Sequence, residues 1–215
     1  VTVEGFYDNV IDLTPEERET FASLPFDGEA WVQEVGASKS KTEAGYSPLE
    51  GTTARPTLDC NGIWGGFTGA GAKTVLPSKA SAKISCRLVP GQTPEEITDK
   101  LEAHFRKHTP ETMKLTFTDL HGGHGALVPT DSPAMKAASE AMEGVYNETP
   151  YMVRCGGSIP IVADFKRILD QDTVLMGFGL ESDAIHSPNE KFGLDRFRAG
   201  IDSIIRFMAI YGRSN

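Results

Sequence analysis

The chain has 215 residues and a mass of 23.3 kDa, of which 39% are hydrophobic and 24% charged. That is enough apolar material for one large domain or two small ones; recurrent aromatics and branched aliphatics exclude a disordered chain, and no stretch approaches the roughly 20 apolar residues of a membrane-spanning helix. Lys and Arg number 21 against 30 Asp and Glu, a net charge of -9, and such a surface repels phosphate backbones and argues against nucleic-acid binding.

Cys60, Cys86 and Cys155 are odd in number and far apart, with no C-x-x-C pair, so they read as free thiols in a reducing compartment, which points to the cytoplasm. The opening Val1-Thr2-Val3-Glu4-Gly5-Phe6-Tyr7 has neither Met nor leader character and reads as the interior of a longer protein.

Thr14-Pro15-Glu16-Glu17 is a helix start: Thr14 caps, Pro15 suits the first helical position, and Glu17 completes a capping box. A second helix is expected from Gly28 to Val35, and a short one after Pro48 that ends before Pro56. Thr57 to Trp64 is a strand interrupted at Asn61-Gly62. From Ala80 to Val89, Ala80, Ala82, Ile84, Cys86 and Leu88 share one face, and Ser81, Lys83, Ser85 and Arg87 the other, which is the period of a half-buried strand. Thr93-Pro94-Glu95-Glu96 opens a helix with Ile97, Leu101 and Phe105 on one face. Met113, Leu115 and Phe117 alternate with polar residues as a further strand, completing a split β-α-β layer. His121-Gly122-Gly123-His124-Gly125 reads as a hinge, and a domain boundary is placed near Gly122. Beyond it come a helix opened by Ser132-Pro133, a short strand from Tyr151 to Arg154, a helix from about Pro160 to Leu169, a buried strand from Thr173 to Phe178 and a closing helix from Leu194, the alternation of an α/β layer.

Five histidines are the first candidates for metal chemistry. His104 and His108 lie four apart on a helix, but Glu does not follow the first, so the H-E-x-x-H pattern is absent and surface histidines are the simpler reading. His121 and His124 fit hinge residues better than ligands. His186 lies in a polar loop after a buried strand, where open α/β sheets place ligands, and a ligand and a structural histidine are equally good readings. Asp183 and Glu190 are the only neighbouring candidates, short of the three or four ligands zinc requires. Gly66 to Thr74 nearly spells a phosphate-binding loop, but a strand follows where a helix is needed, which excludes nucleotide binding. Cys155-Gly156-Gly157-Ser158-Ile159-Pro160 opens a helix whose N–H groups, with the Ser158 hydroxyl, form either a carboxylate cradle or a plain cap.

Five segments in order then carry a resemblance: Arg55-Pro56-Thr57-Leu58, Gly69 to Pro77, Ser85-Cys86-Arg87-Leu88-Val89-Pro90, Gly156-Gly157-Ser158-Ile159-Pro160 and Ala184-Ile185-His186-Ser187-Pro188-Asn189-Glu190. The chain resembles the C-terminal half of M20-type metallopeptidases of the dipeptidase and carnosinase branch. The resemblance implies a mixed α/β and α+β fold: residues 1–120 as an α+β sandwich lid that dimerises, without its first strand and helix, and residues 121–215 as the C-terminal part of an α/β catalytic domain. It implies a metallopeptidase hydrolysing dipeptides with a free C-terminal carboxylate, using two divalent metal ions, zinc or manganese. His186 is then the last metal ligand, Arg87 the clamp on the substrate carboxylate, Ser158 with the Gly157 backbone a second substrate contact, and Thr74 a contact made across the homodimer.

The general base and the other ligands precede the lid in that family, and none of them is in this sequence. The expectation is therefore a fragment, or one product of a nick, of an enzyme about twice as long, inactive without an N-terminal half that could accompany it as a separate chain. The alternatives are a non-catalytic dimerisation or peptide-carboxylate-binding module, and a related amidohydrolase acting on acylated amino acids.

Overall fold

The computed structural model describes residues 1–156 and 159–214. The chain forms two units, each treated by itself: Val1–Ala126 with Arg154–Asp164, and Leu127–Val153 with Phe165–Asn215. The single boundary read near Gly122 gave no sign that the chain re-enters the first unit at Arg154.

The first unit begins with three capped helices, α1 (Pro15–Ser23), α2 (Gly28–Glu34) and α3 (Pro48–Thr53). α1 and α3 both carry full capping boxes, Thr14 with Glu17 and Ser47 with Glu50, and both place Pro at the first helical position, satisfying donors that a helix start otherwise leaves unpaired. Strands β1 (Thr57–Gly65) and β2 (Ala80–Arg87) pair antiparallel, Thr57 opposite Arg87 and Gly65 opposite Ala80. β1 is not interrupted at Asn61-Gly62. Cys60 faces Ile84 and Gly62 faces Lys83, so Asn61 is the extra residue of a bulge and the strand continues past it.

Helix α4 (Pro94–His108) lays Ile97 and Leu101 on Val3, Phe6 and Leu88, with Tyr7, Leu58, Cys86 and Phe117 around them. Burial, and then the charge of Asp59, push the Cys86 thiol up to about 11. The carboxamide of Gln92, 4% exposed, donates to the Phe6 carbonyl (2.7 Å) and accepts from the Val89 amide (3.1 Å), so this core closes without an unpaired group there. Leu13, Phe21 and Ala54 form a second cluster that joins α1 to the end of α3.

The alternation from Met113 to Thr118 survives only as side-chain placement. Leu115 and Phe117 are half-buried and Met113 is exposed, but the segment is irregular because no neighbouring strand supplies a ladder there. The Gly122-Gly123 run is a point of close approach, not a loose hinge: a Cβ on Gly123 would sit 2.6 Å from the Pro160 Cβ, and one on Gly122 would collide with Pro94.

In the second unit, α5 (Pro133–Tyr146) packs on α7 (Leu194–Ser214). Ala137, Ala138 and Ala141 are buried on α5, and Ser203 of α7, fully buried, returns its hydroxyl to the Ala199 carbonyl at 2.8 Å. Helix α6 (Ile161–Leu169) spans the division at Asp164. Tyr151 to Arg154 and Thr173 to Phe178, expected as strands, are irregular, and Leu175 is 43% exposed. A strand covered on both faces requires flanking strands, and the described residues of this unit provide none. No helix among the described residues is long and apolar enough to cross a membrane.

Candidate functional site

β2 delivers Arg87, itself exposed, to the end of the hairpin that adjoins the core, next to buried Leu88 and Val89. Period two fixes this arrangement: Ile84 and Cys86 turn toward the core, which turns Arg87 outward. The turn after Arg154 reaches the same place. Gly156 has φ +69°, and a Cβ there would lie 3.4 Å from the Arg87 Cδ and 3.6 Å from the Thr53 carbonyl at the end of α3. A glycine supplies both the left-handed backbone and the clearance. The guanidinium stem and the start of the glycine turn are therefore adjacent. Gly157 and Ser158, the other two members of the expected cradle, lie outside the described residues.

What holds this turn in place was not read from the sequence. The Arg154 side chain is 8% exposed. Its Nε and Nη2 donate to the two carboxylate oxygens of Glu17, each at 2.7 Å, its Nη1 donates to the Ile11 carbonyl at 2.6 Å, and its Nη2 also donates to the Asp12 carbonyl at 2.9 Å. Glu17 is the capping-box residue of α1, and its Oε2 also accepts from the Thr14 amide at 2.8 Å. These Arg154 hydrogen bonds hold the Glu17 carboxyl below its ordinary value against the desolvation that would raise it. No local pattern announces a partner 137 residues away; the only signal was an arginine directly before a C-G-G-S turn.

Arg55, the first residue of the matching segments, is occupied elsewhere. It is bidentate to Glu43 (2.8 and 2.7 Å) and lies over the rings of Tyr7 and Tyr46, 5.1 and 4.4 Å from their centroids. It forms one wall of a cavity of about 550 Å³ whose lining includes Trp31 and Lys41 but not Arg87.

Thr74 is exposed in the connection between β1 and β2. At roughly 3.3 Å per residue, the length of β2 alone separates that end of the hairpin from Arg87 by about 23 Å.

His186 belongs to the second unit. It is exposed with φ +63°, in a loop where Ala184 and Asn189 are also left-handed. The anchor of this loop is Asp183, 1% exposed, whose carboxylate accepts from the Leu180 amide (2.9 Å) and from Arg196, and whose carbonyl accepts from the Lys191 amide (2.9 Å). Asp183 is thus committed to Arg196, which removes it as a candidate metal ligand. His104 and His108 stack at 4.2 Å between ring centroids, with His108 Nδ1 2.7 Å from the His104 carbonyl oxygen. Among the described residues no three His, Cys, Asp or Glu side chains gather as a metal would require. These residues do not by themselves make a metal centre.

The first unit is thus an α+β layer, an antiparallel hairpin with a helix packed on its core and Arg87 at the end of the hairpin nearest that core. Residues 21–113 match the peptidase dimerisation domain of the M20 family. Across 94% of its length the chain is 34% identical to the Cys-Gly metallodipeptidase dug1 of Schizosaccharomyces pombe, of which it covers 43%, and across 89% it is 32% identical to the human beta-Ala-His dipeptidase, of which it covers 38%. Its structure superposes on the M20 family metallo-carboxypeptidase Sso-CP2 of Sulfolobus solfataricus with a TM-score of 0.85 at 28% identity, over 98% of this chain and 48% of that one. The dipeptidase Dug1p of Saccharomyces cerevisiae gives 0.81 at 28% identity, over 99% and 45%. The chain belongs to the M20 peptidase family and spans less than half the length of these relatives.

Proposed function

We propose that this chain is the C-terminal part of a metal-dependent dipeptidase, in which it binds the substrate's free carboxylate and supplies one metal ligand. The observation that carries the reading is the seating of Gly156 against Arg87. A planar guanidinium presents paired donors matched to a carboxylate, and Gly156, which lies against it, precedes the Gly157-Ser158 pair expected to share that ligand. Arg87 fixes the carboxylate, and Gly157 and Ser158 complete the cradle. This orients the peptide bond without any change in charge on these groups.

His186 is the single metal ligand from this chain. The remaining ligands and the general base come from residues outside the 215. A divalent ion, zinc or manganese, would polarise the scissile carbonyl there. The hairpin pairs with that of a second copy, and Thr74 reaches the partner's substrate; the exposure of Thr74 in the hairpin connection, within the segment that matches a dimerisation domain, supports this. The exposed apolar residues of α7, among them Phe197, Ile205 and Met208, support a covering body that the 215 residues do not supply.

The test joins the chain to the complementary portion of the enzyme and measures hydrolysis of Cys-Gly and of its C-terminal amide with added zinc or manganese. Arg87→Ala is expected to raise KM for the free acid about tenfold or more and to spare the amide, since a charge-assisted hydrogen bond is lost only in the former. Equal losses on both substrates overturn the clamp. His186→Ala is expected to lower bound metal and to abolish turnover; near-parental activity with added metal overturns the ligand assignment. Carboxylate binding by the 215 residues alone, with no hydrolysis after the complement is added, would instead indicate a binding module.

A further inference from the structure

We infer that Arg154, through its clasp on Glu17, is the positioning residue that sets the glycine turn against Arg87 and thereby the affinity for the substrate carboxylate. The inference rests on the proposed carboxylate cradle and adds a residue to it that does not touch substrate. Arg154 and Pro160 are each tied to other parts of the first unit. Four hydrogen bonds hold the Arg154 guanidinium to Glu17, Ile11 and Asp12. Pro160 packs on Gly123 so closely that no Cβ fits between them. Between these ties Gly156 rests on the Arg87 stem and on the carbonyls of Thr52 and Thr53.

The seat is itself fixed. Glu17 opens α1, α1 buries Phe21 against Ala54, and Ala54 caps α3, whose last carbonyls line the turn. Glu17 therefore links two functions: the same carboxylate that caps a helix receives the guanidinium that positions the turn. Planarity is essential to this arrangement. Glu17 takes two parallel N–H groups while two backbone carbonyls take others, a fork that a lysine ammonium does not reproduce.

The prediction concerns geometry, so the test must read geometry. In the 215-residue chain, Arg154→Lys is expected to speed amide exchange about tenfold at Val162 and Ala163, whose N–H groups donate to the Ile159 and Pro160 carbonyls, through the loss of charge-assisted hydrogen bonds, while protection in α4 stays at the parental level. In the enzyme assembled with its complementary portion, the same variant is expected to raise KM for Cys-Gly about tenfold, with kcat within about twofold, and to leave the C-terminal amide unaffected. Glu17→Gln, which keeps the shape of the acceptor, is expected to give a smaller shift in the same direction and stands in if Arg154→Lys fails to fold. Unchanged exchange at Val162 and Ala163, or an equal loss on acid and amide, overturns the positioning role. Arg87→Ala separates the two readings. If it spares Cys-Gly binding, the cradle itself is wrong; if it impairs binding and neither Arg154→Lys nor Glu17→Gln does, the cradle stands and the clasp is only structural.

Discussion

Glu17 shows how much one residue's role depends on distance along the chain. Its place in a capping box is legible from four consecutive letters, because the box is local chemistry. Its grip on Arg154 is not, because nothing in either neighbourhood encodes the other. The same holds for Asp183, which the spacing offered as a metal ligand and the fold commits to Arg196. Arg87 is the opposite case: strand period alone turned it outward, and the structure does the same. The Glu17 pairing has a pH signature with a defined sign. Its folded carboxyl is held below its ordinary 4.5, so its contribution is complete above about pH 4.5 and fades as pH falls through the lower folded value. Glu17→Gln is expected to be less stable than the parent at neutral pH, with the gap closing as pH falls through the lowered folded value. Urea titrations of both proteins at several pH values check this, and a gap that widens on acidification would contradict the ion pair.

Elements differ in how much of themselves they carry in sequence. The helices of the first unit were legible because caps, proline and apolar spacing agree at each start, as at Thr14, Ser47 and Thr93. Strands depend on partners. The alternation at Met113–Thr118 and the apolar run at Thr173–Phe178 announce strands that this chain cannot hydrogen-bond alone. The bulge at Asn61 was visible as a turn-like dipeptide, but only the opposing strand decides between turn and bulge. Stability should follow the same ordering. Thr14→Ala removes a capping-box oxygen and is expected to cost about 1 kcal/mol, whereas Leu101→Ala, at the centre of the α4 packing, is expected to cost about 2–5 kcal/mol. Denaturant midpoints of the two variants measure this; equal losses would mean that α4 does not anchor the core.

At the scale of the molecule, two of the places where large apolar side chains meet solvent bear on association. Leu76 is 93% and Ile63 81% exposed in and beside the hairpin connection, on the part of the chain that matches a dimerisation domain. Leu76→Glu is expected to shift sedimentation toward the monomer, and an unchanged oligomeric state would locate the pairing elsewhere. Another exposed apolar face lies along α7, in a unit with no strand among its described residues. The chain passes between its units three times, after Ala126, Val153 and Asp164. No single cut separates them: truncation after Ala126 removes Arg154, Gly156 and Pro160 from the first unit together. In evolutionary terms the hairpin unit is not a cassette. A gene fusion that transplanted residues 1–126 onto another body would carry the association surface and Arg87, but would leave behind the segment that reaches back to Glu17. Inheritance of the contact between Gly156 and Arg87 therefore ties together stretches of sequence that domain shuffling would separate.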